Sequence, residues 1–322
     1  MLKTLNEASD MINSGKWLHI SGNEGLLRKL PKGNWIGGST EYFVSQDGGI
    51  VTDEKLFVTE IPYDGCKIAS YDENNIENIT RDAFDNGFTI AILPFDSKVH
   101  KVYAEKADGF KGMFEKNVVG WISGYNLSKA NQTSITINGK TAACSSTEAV
   151  ALHIQTPEDH MLSIGIVNIF TPSETSPVIE FYEEGFTVDK CLIDGREVVF
   201  ADYIIKNGID TKLPIIGSYC GAGVNVSFKL IDNGKVQLYA PVFKNIKYRF
   251  ANKISDYAKE FEEKLKHFKS SKALFSCNCI LNFLYGELEG KQLQNFYGPI
   301  TFGEIAYQLV NQTMVYAVVL SK

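Results

Sequence analysis

The residues best suited to chemistry crowd into positions 273–319. Cys277-Asn278-Cys279 closes an apolar run, Phe302-Gly303-Glu304 makes a small-residue turn, and Asn311-Gln312-Thr313 opens the last apolar stretch. A glutamate on a turn beside a buried strand is placed to face a cavity and to bind a ligand amine or amide. The competing reading is an exposed or backbone-capping carboxylate. Asn311 and Thr313 alternate at the strand start, where short polar side chains bond either a neighbouring loop or a ligand. A cysteine whose pKa is lowered by a helix start or a nearby cation is a nucleophile; without that help it is a small buried apolar residue. Neither a second cysteine pair nor a histidine cluster completes a zinc shell, so no metal and no cofactor is expected.

Gly217-Ser218-Tyr219-Cys220-Gly221-Ala222-Gly223 is the richest glycine turn. Its centre is Tyr219, not Ser or Cys, and a strand-like run over 224–231 follows instead of a helix. It therefore fits neither a nucleophile elbow nor a phosphate loop, and a close backbone approach explains it better. The histidines at 19, 100, 153, 160 and 267 are isolated in sequence, and His153 between Leu152 and Ile154 reads as a satisfied core or edge residue. A catalytic pair between Cys277 or Cys220 and one of them needs only a meeting in space, so a cysteine-dependent hydrolase or transferase stands as an alternative.

These residues need elements to hold them. Thr4 with Glu7 forms a capping box for a helix over 5–14, and Ser21 with Glu24 suggests a second, over 25–29, stopped by Pro31. Helical spacing recurs over 75–86 and 98–107, flanking the run 88–95, which is apolar on both faces and reads as a buried central strand. From about Ser134 the pattern turns to paired strands, with hairpin turns at Asn138-Gly139, Asp194-Gly195 and Asn233-Gly234. A short helix over 200–206 interrupts them. Ile254, Tyr257, Ala258, Phe261, Leu265 and Phe268 recur at spacings of three and four, so 253–269 reads as a helix leading into a strand over 272–277.

The chain has 322 residues, long enough for two lobes, and its 44% hydrophobic and 22% charged content is that of a folded globular protein. The expected fold is mixed α/β (α+β), two-lobed, with largely antiparallel sheets covered by helices: residues 1–133 as an α/β lobe and 134–322 as a β-rich lobe. A net charge of −6 with scattered lysines argues against nucleic acid as a partner. The N-terminus lacks an apolar run of signal-peptide length and no stretch has the composition of a membrane span, so a cytoplasmic protein with reduced cysteines is expected.

The Phe275-Ser276-Cys277 step, the Phe302-Gly303-Glu304 turn, the Asn311-Gln312-Thr313 entry and the long helix before them resemble the C-terminal part of the FIST domain family. Ile36-Gly37-Gly38-Ser39-Thr40 is similar to that family's early small-residue step. The sequence departs from the family pattern at Asn278-Cys279-Ile280-Leu281-Asn282, where Gly-Arg-Gly-like residues are usual. The resemblance implies a sensory protein that binds a small ligand, an amino acid or related metabolite, and signals through a protein partner or a homo-oligomer. The pocket it implies lies at the strand ends and comprises Gly37, Ser39, Thr40, Ser218, Cys277, Thr301, Glu304, Asn311 and Thr313. A scaffold that binds no ligand is the remaining alternative.

Overall fold

In the computed structural model, the run that is apolar on both faces becomes the strand Gly87–Pro94, in the middle of a six-stranded sheet. It pairs in parallel with Asn117–Ser123 and antiparallel with Ala149–Gln155. The parallel pair needs a crossover, and the helix Lys98–Lys106 supplies it. Cys66–Tyr71 forms one edge of this central sheet, and Glu304–Ala306 with Gln308–Val310 forms the other. The structure describes residues 1–219, 222–266, 273–292 and 296–321.

Both faces of the central sheet are covered, which is why its strands carry no polar alternation. Ala91, Leu93, Val118 and Ile122 pack with Ile79, Val99 and Tyr103 from the helical side. Ile90, Ile92, Val119 and Trp121 on the other face meet two further sheets through Ile36, Phe275, Val315 and Ala317. One of these sheets runs in the order Leu2–Lys3, Leu56–Ile61, Trp17–Gly22, Trp35–Ser39, Thr136–Asn138, Ala143–Ser145. The other runs His160–Val167, Met314–Ser321, Phe275–Cys279, Gly298–Thr301, Tyr42–Ser45, Gly48–Val51. The helices Leu5–Asn13 and Glu24–Leu27 bury Ala8, Ile12 and Leu27 against Leu18, Ile20 and Leu56 of the first. A Cβ on Gly38 would lie 2.6 Å from Ile92 Cγ2 and 2.8 Å from the Trp121 ring, so the facing sheets approach closely enough to require glycine there.

Residues 179–250 build a second body of β structure. A six-stranded antiparallel sheet and a three-stranded sheet of Gly185–Val188, Lys235–Val242 and Phe228–Asp232 are bridged by the helix Phe200–Lys206. The Asp194-Gly195 and Asn233-Gly234 turns both adopt left-handed φ, at 49° and 77° and at 50° and 73°, as two-residue hairpins demand. The fold is thus mixed α/β, with mixed and antiparallel sheets. Strands from both sides of residue 133 share three of the four six-stranded sheets, so those sheets cross a division at 133/134.

Several elements differ from expectation for local reasons. Asn23, not Ser21, caps the second helix, because Ser21 stays in the ladder of Trp17–Gly22. The 75–86 helix shrinks to Asn78–Arg81, which has no side-chain cap. The turn after Asn138 spans residues 139–142 with Ala142 left-handed, and Gly139 is needed because the Trp35 ring lies 2.5 Å from where its Cβ would sit. Asp256 caps the long helix late, giving Tyr257–Leu265 with Tyr257, Phe261 and Leu265 buried. Cys220, Gly221 and residues 267–272, including His267, Phe268 and the expected strand start at Lys272, lie outside the described residues. An unexpected helix, Ile280–Tyr285, begins directly after Cys279. No helix among the described residues is long and apolar enough to cross a membrane.

Candidate functional site

Glu304, Thr301 and Thr313, three of the expected pocket residues, bond to one another. The Glu304 carboxyl is fully buried; its Oε2 accepts from Thr313 N at 3.2 Å and from Thr313 Oγ1 at 2.8 Å. Thr301 Oγ1 lies 3.1 Å from Glu304 Oε1 and 3.3 Å from Asn278 O. One hydroxyl proton cannot serve two acceptors, and the Asn278 carbonyl can only accept. Both contacts are hydrogen bonds when Glu304 carries a proton on Oε1, donates it to Thr301, and Thr301 donates to Asn278. Burial acts in the same direction, pushing the Glu304 pKa up to about 8 although its contacts with Thr313, Thr301 and Cys279 oppose the rise.

Asn311 belongs to the adjoining part of this polar core. Its Oδ1 accepts from Ser227 Oγ at 3.1 Å, while Asn225 Nδ2 donates to the Asn311 and Gln312 carbonyls at 3.2 and 3.3 Å. The last strand is thereby tied to the β body by side chains from Ala222–Val226 and the residue after it. Thr40 Oγ1 donates to Ile300 O at 2.7 Å and Ser39 Oγ to Gly124 O at 2.7 Å, so both close loops onto the sheet ends. Gly37 makes room for the Trp35 ring, 2.8 Å from the position of an added Cβ. Ser218 is exposed on Ile215–Tyr219, apart from this core, and Gly217 beside it allows a close approach of the Tyr248 ring, 2.7 Å from an added Cβ.

The thiols at 277 and 279 are enclosed. Cys277 contacts Gly120 O at 3.5 Å, and burial raises both thiols well above their ordinary pKa, with Glu304 adding to the effect. Such thiols stay protonated, the opposite of an activated nucleophile. The space beside Cys277, Asn278 and Gly298 is about 10 Å³, room for roughly one water molecule. Glu304, Thr301, Thr313 and Asn278 thus meet in a buried core, and among the described residues the space beside Cys277 is of water size.

A ligand-sized space lies elsewhere, at the carboxyl end of Gly87–Pro94. There a cavity of about 250 Å³ is bounded by Phe95, Asp96, His100 and Lys101 on one side and Phe186, Thr187, Lys229, Gln237, Leu238 and Tyr239 on the other. The first side is a strand-to-helix turn. Asp96 takes a left-handed φ of 61°, Ser97 caps the helix by accepting from His100 N, and Asp96 N donates to His100 Nδ1 at 3.2 Å. That bond fixes the tautomer, so Nε2 carries the ring proton. His100 is 2% exposed, its Nε2 has no hydrogen-bond partner, and burial lowers its pKa to about 4, so the ring is neutral.

The second side is the three-stranded sheet, and both of its register irregularities fall at the cavity. Pairing slips between Gly185 and Thr187 and between Phe228 and Leu230, leaving Phe186 and Lys229 out of the ladder. Bulges turn side chains out of the pleat and gather at functional sites. Lys229 Nζ sits 5.1 Å above the Phe95 ring and 3.7 Å from Asp96 Oδ2, while Lys101 Nζ is 2.8 Å from Asp96 Oδ1. Phe186 packs edge-on to His100 with ring centroids 6.0 Å apart, and Tyr239 lies 6.2 Å from Phe95.

A family model described as a family of unknown function (DUF6976) matches residues 3–320. The chain belongs to that family. No curated protein matches the sequence. In this DUF6976 chain the sequence does not mark the cavity residues, because they come from three distant segments, none with a motif of its own. One signal was present: Asp96-Ser97 follows an all-apolar strand and precedes a helix, and ligands in α/β sheets sit outside the carboxyl ends of such strands.

Proposed function

We propose that this protein is a small-ligand-binding sensory protein of the FIST kind, acting in the cytoplasm, which binds a metabolite in the Phe95–Lys229 cavity and signals through a protein partner. The observation that carries the reading is where the cavity lies. One wall is the βα turn of the central sheet and the other is a bulged sheet of the β body, so an occupant touching both favours the arrangement in which they are apposed. Such differential affinity for one arrangement is all that a sensor requires.

Thermal shift with a panel of amino acids and other small metabolites at millimolar levels tests this. A true ligand at a hundredfold its Kd adds about 2.7 kcal/mol to stability, a rise of several degrees in Tm for a chain of this size. Phe186→Ala should remove that rise while leaving the ligand-free Tm nearly unchanged, since Phe186 is only half-buried. A panel in which no compound raises Tm would rule out the sensory reading in favour of a ligand-free scaffold.

A further inference from the structure

We infer that the cavity is built for a flat monocarboxylate of metabolite size, an aromatic acid or a planar equivalent; the inference rests on the sensory reading above and specifies its ligand. Three features select that chemistry, and they come from different segments of the chain. The first is charge. Among the lining residues Lys101 and Lys229 share one carboxylate, Asp96, so the lining itself carries one more positive than negative side chain. His100 does not add to it, because the buried ring is neutral. One anionic group restores the balance, whereas a dianion overshoots it and a cation adds to the excess.

The second feature is a directed donor. Nδ1 of His100 is occupied by Asp96 N, so Nε2–H is held in one direction at the cavity wall with no acceptor of its own. A buried N–H without a partner is costly, and a ligand oxygen would remove that cost. Lys229 is then within the same cavity to supply a charge-assisted bond to the same group. The third feature is shape. Phe95, Phe186 and Tyr239 present rings to one space of about 250 Å³, below the usual range for drug-sized ligands and suited to a single ring with a short substituent. Gln237 and Thr187 add neutral polar atoms at the sheet side for a ring hydroxyl or amide.

The test uses the full chain with histidine imidazoles followed by NMR and four probes: benzoate, benzamide, benzylamine and acetate. Benzoate should bind saturably and move the His100 resonances, with benzamide and benzylamine weaker by about tenfold or more and acetate weaker still. Lys229→Met should lower benzoate affinity by about tenfold while leaving benzamide unchanged. His100→Gln, which keeps a donor on a side chain of different reach, should weaken benzoate less than His100→Leu does. Equal binding of benzoate and benzamide, or a preference for benzylamine, overturns the carboxylate while leaving the cavity as the sensory site. Silence from all four probes overturns the inference alone, because the thermal-shift panel decides the broader reading independently.

Discussion

At the scale of single residues, Glu304 ties folding to pH. Its folded pKa of about 8 lies above the ordinary 4.5, so between those values the folded chain holds a proton that the unfolded chain has released. Stability from this group is complete below about pH 4.5 and is lost as pH rises through 8. The buried imidazoles act with the opposite sign. His19, His100 and His153 have folded pKa values lowered by burial to about 3, 4 and 4, so their contribution is present above pH 6.5 and is lost as pH falls. Glu304→Gln mimics the neutral acid, with its oxygen accepting from Thr313 and its amide donating to Thr301. The three histidines contribute equally to both proteins, so in urea unfolding the stability of wild type relative to the variant should fall by on the order of 3 kcal/mol between pH 5 and 8. Equal slopes in the two proteins would mean that Glu304 is ionised in the fold. The sequence marked Glu304, Thr301 and Thr313 as a polar group on turns; it did not show their closure, which depends on partners such as Asn278 from a strand far away in sequence. His153 read correctly as satisfied: Tyr71 OH lies 2.8 Å from Nε2 and Thr89 Oγ1 lies 2.8 Å from Nδ1.

At the scale of elements, the parallel pair Gly87–Pro94 and Asn117–Ser123 carries the cavity's first wall, and its spacing depends on Gly120. A Cβ at Gly120 would lie 1.9 Å from Ala91 O, a backbone atom that cannot move without breaking the ladder. Gly120→Ala should therefore cost more than the roughly 1–3 kcal/mol of ordinary overpacking, seen as a fall in the urea midpoint. A fall no larger than that of Gly109→Ala, an exposed position with open space and no left-handed φ, would show that the strands can separate. The central strand was legible because an apolar run with no alternation has few other fates. The bulges at Phe186 and Lys229 were not, because a register slip is a property of two strands and leaves no mark on either alone. Ile280–Tyr285 was missed for a related reason: an apolar run of that length fits a buried strand as well as a helix.

At the scale of the molecule, the sequence led to a boundary at 133/134 because its pattern changes there from helix–strand alternation to hairpins. Pairing across the chain overrides that change. Ala149–Gln155 inserts between Gly87–Pro94 and Cys66–Tyr71, and Glu304–Ala306 continues the same sheet beyond Asn117–Ser123. Residues 1–133 alone would leave Gly87–Pro94 with one open edge in the middle of the sheet and Ile90, Ile92, Val119 and Trp121 without Phe275, Val315 and Ala317. Exposed strand edges and a bare apolar face favour aggregation over folding. Expressed separately, residues 1–133 should be insoluble or lack dispersed NMR signals, and co-expression with 134–322 should restore a soluble complex, since each fragment supplies strands the other lacks. A soluble, well-dispersed 1–133 fragment would show that this half folds without the later strands, and the Phe95–Lys229 cavity would then lie between two independent domains instead of inside one interleaved fold.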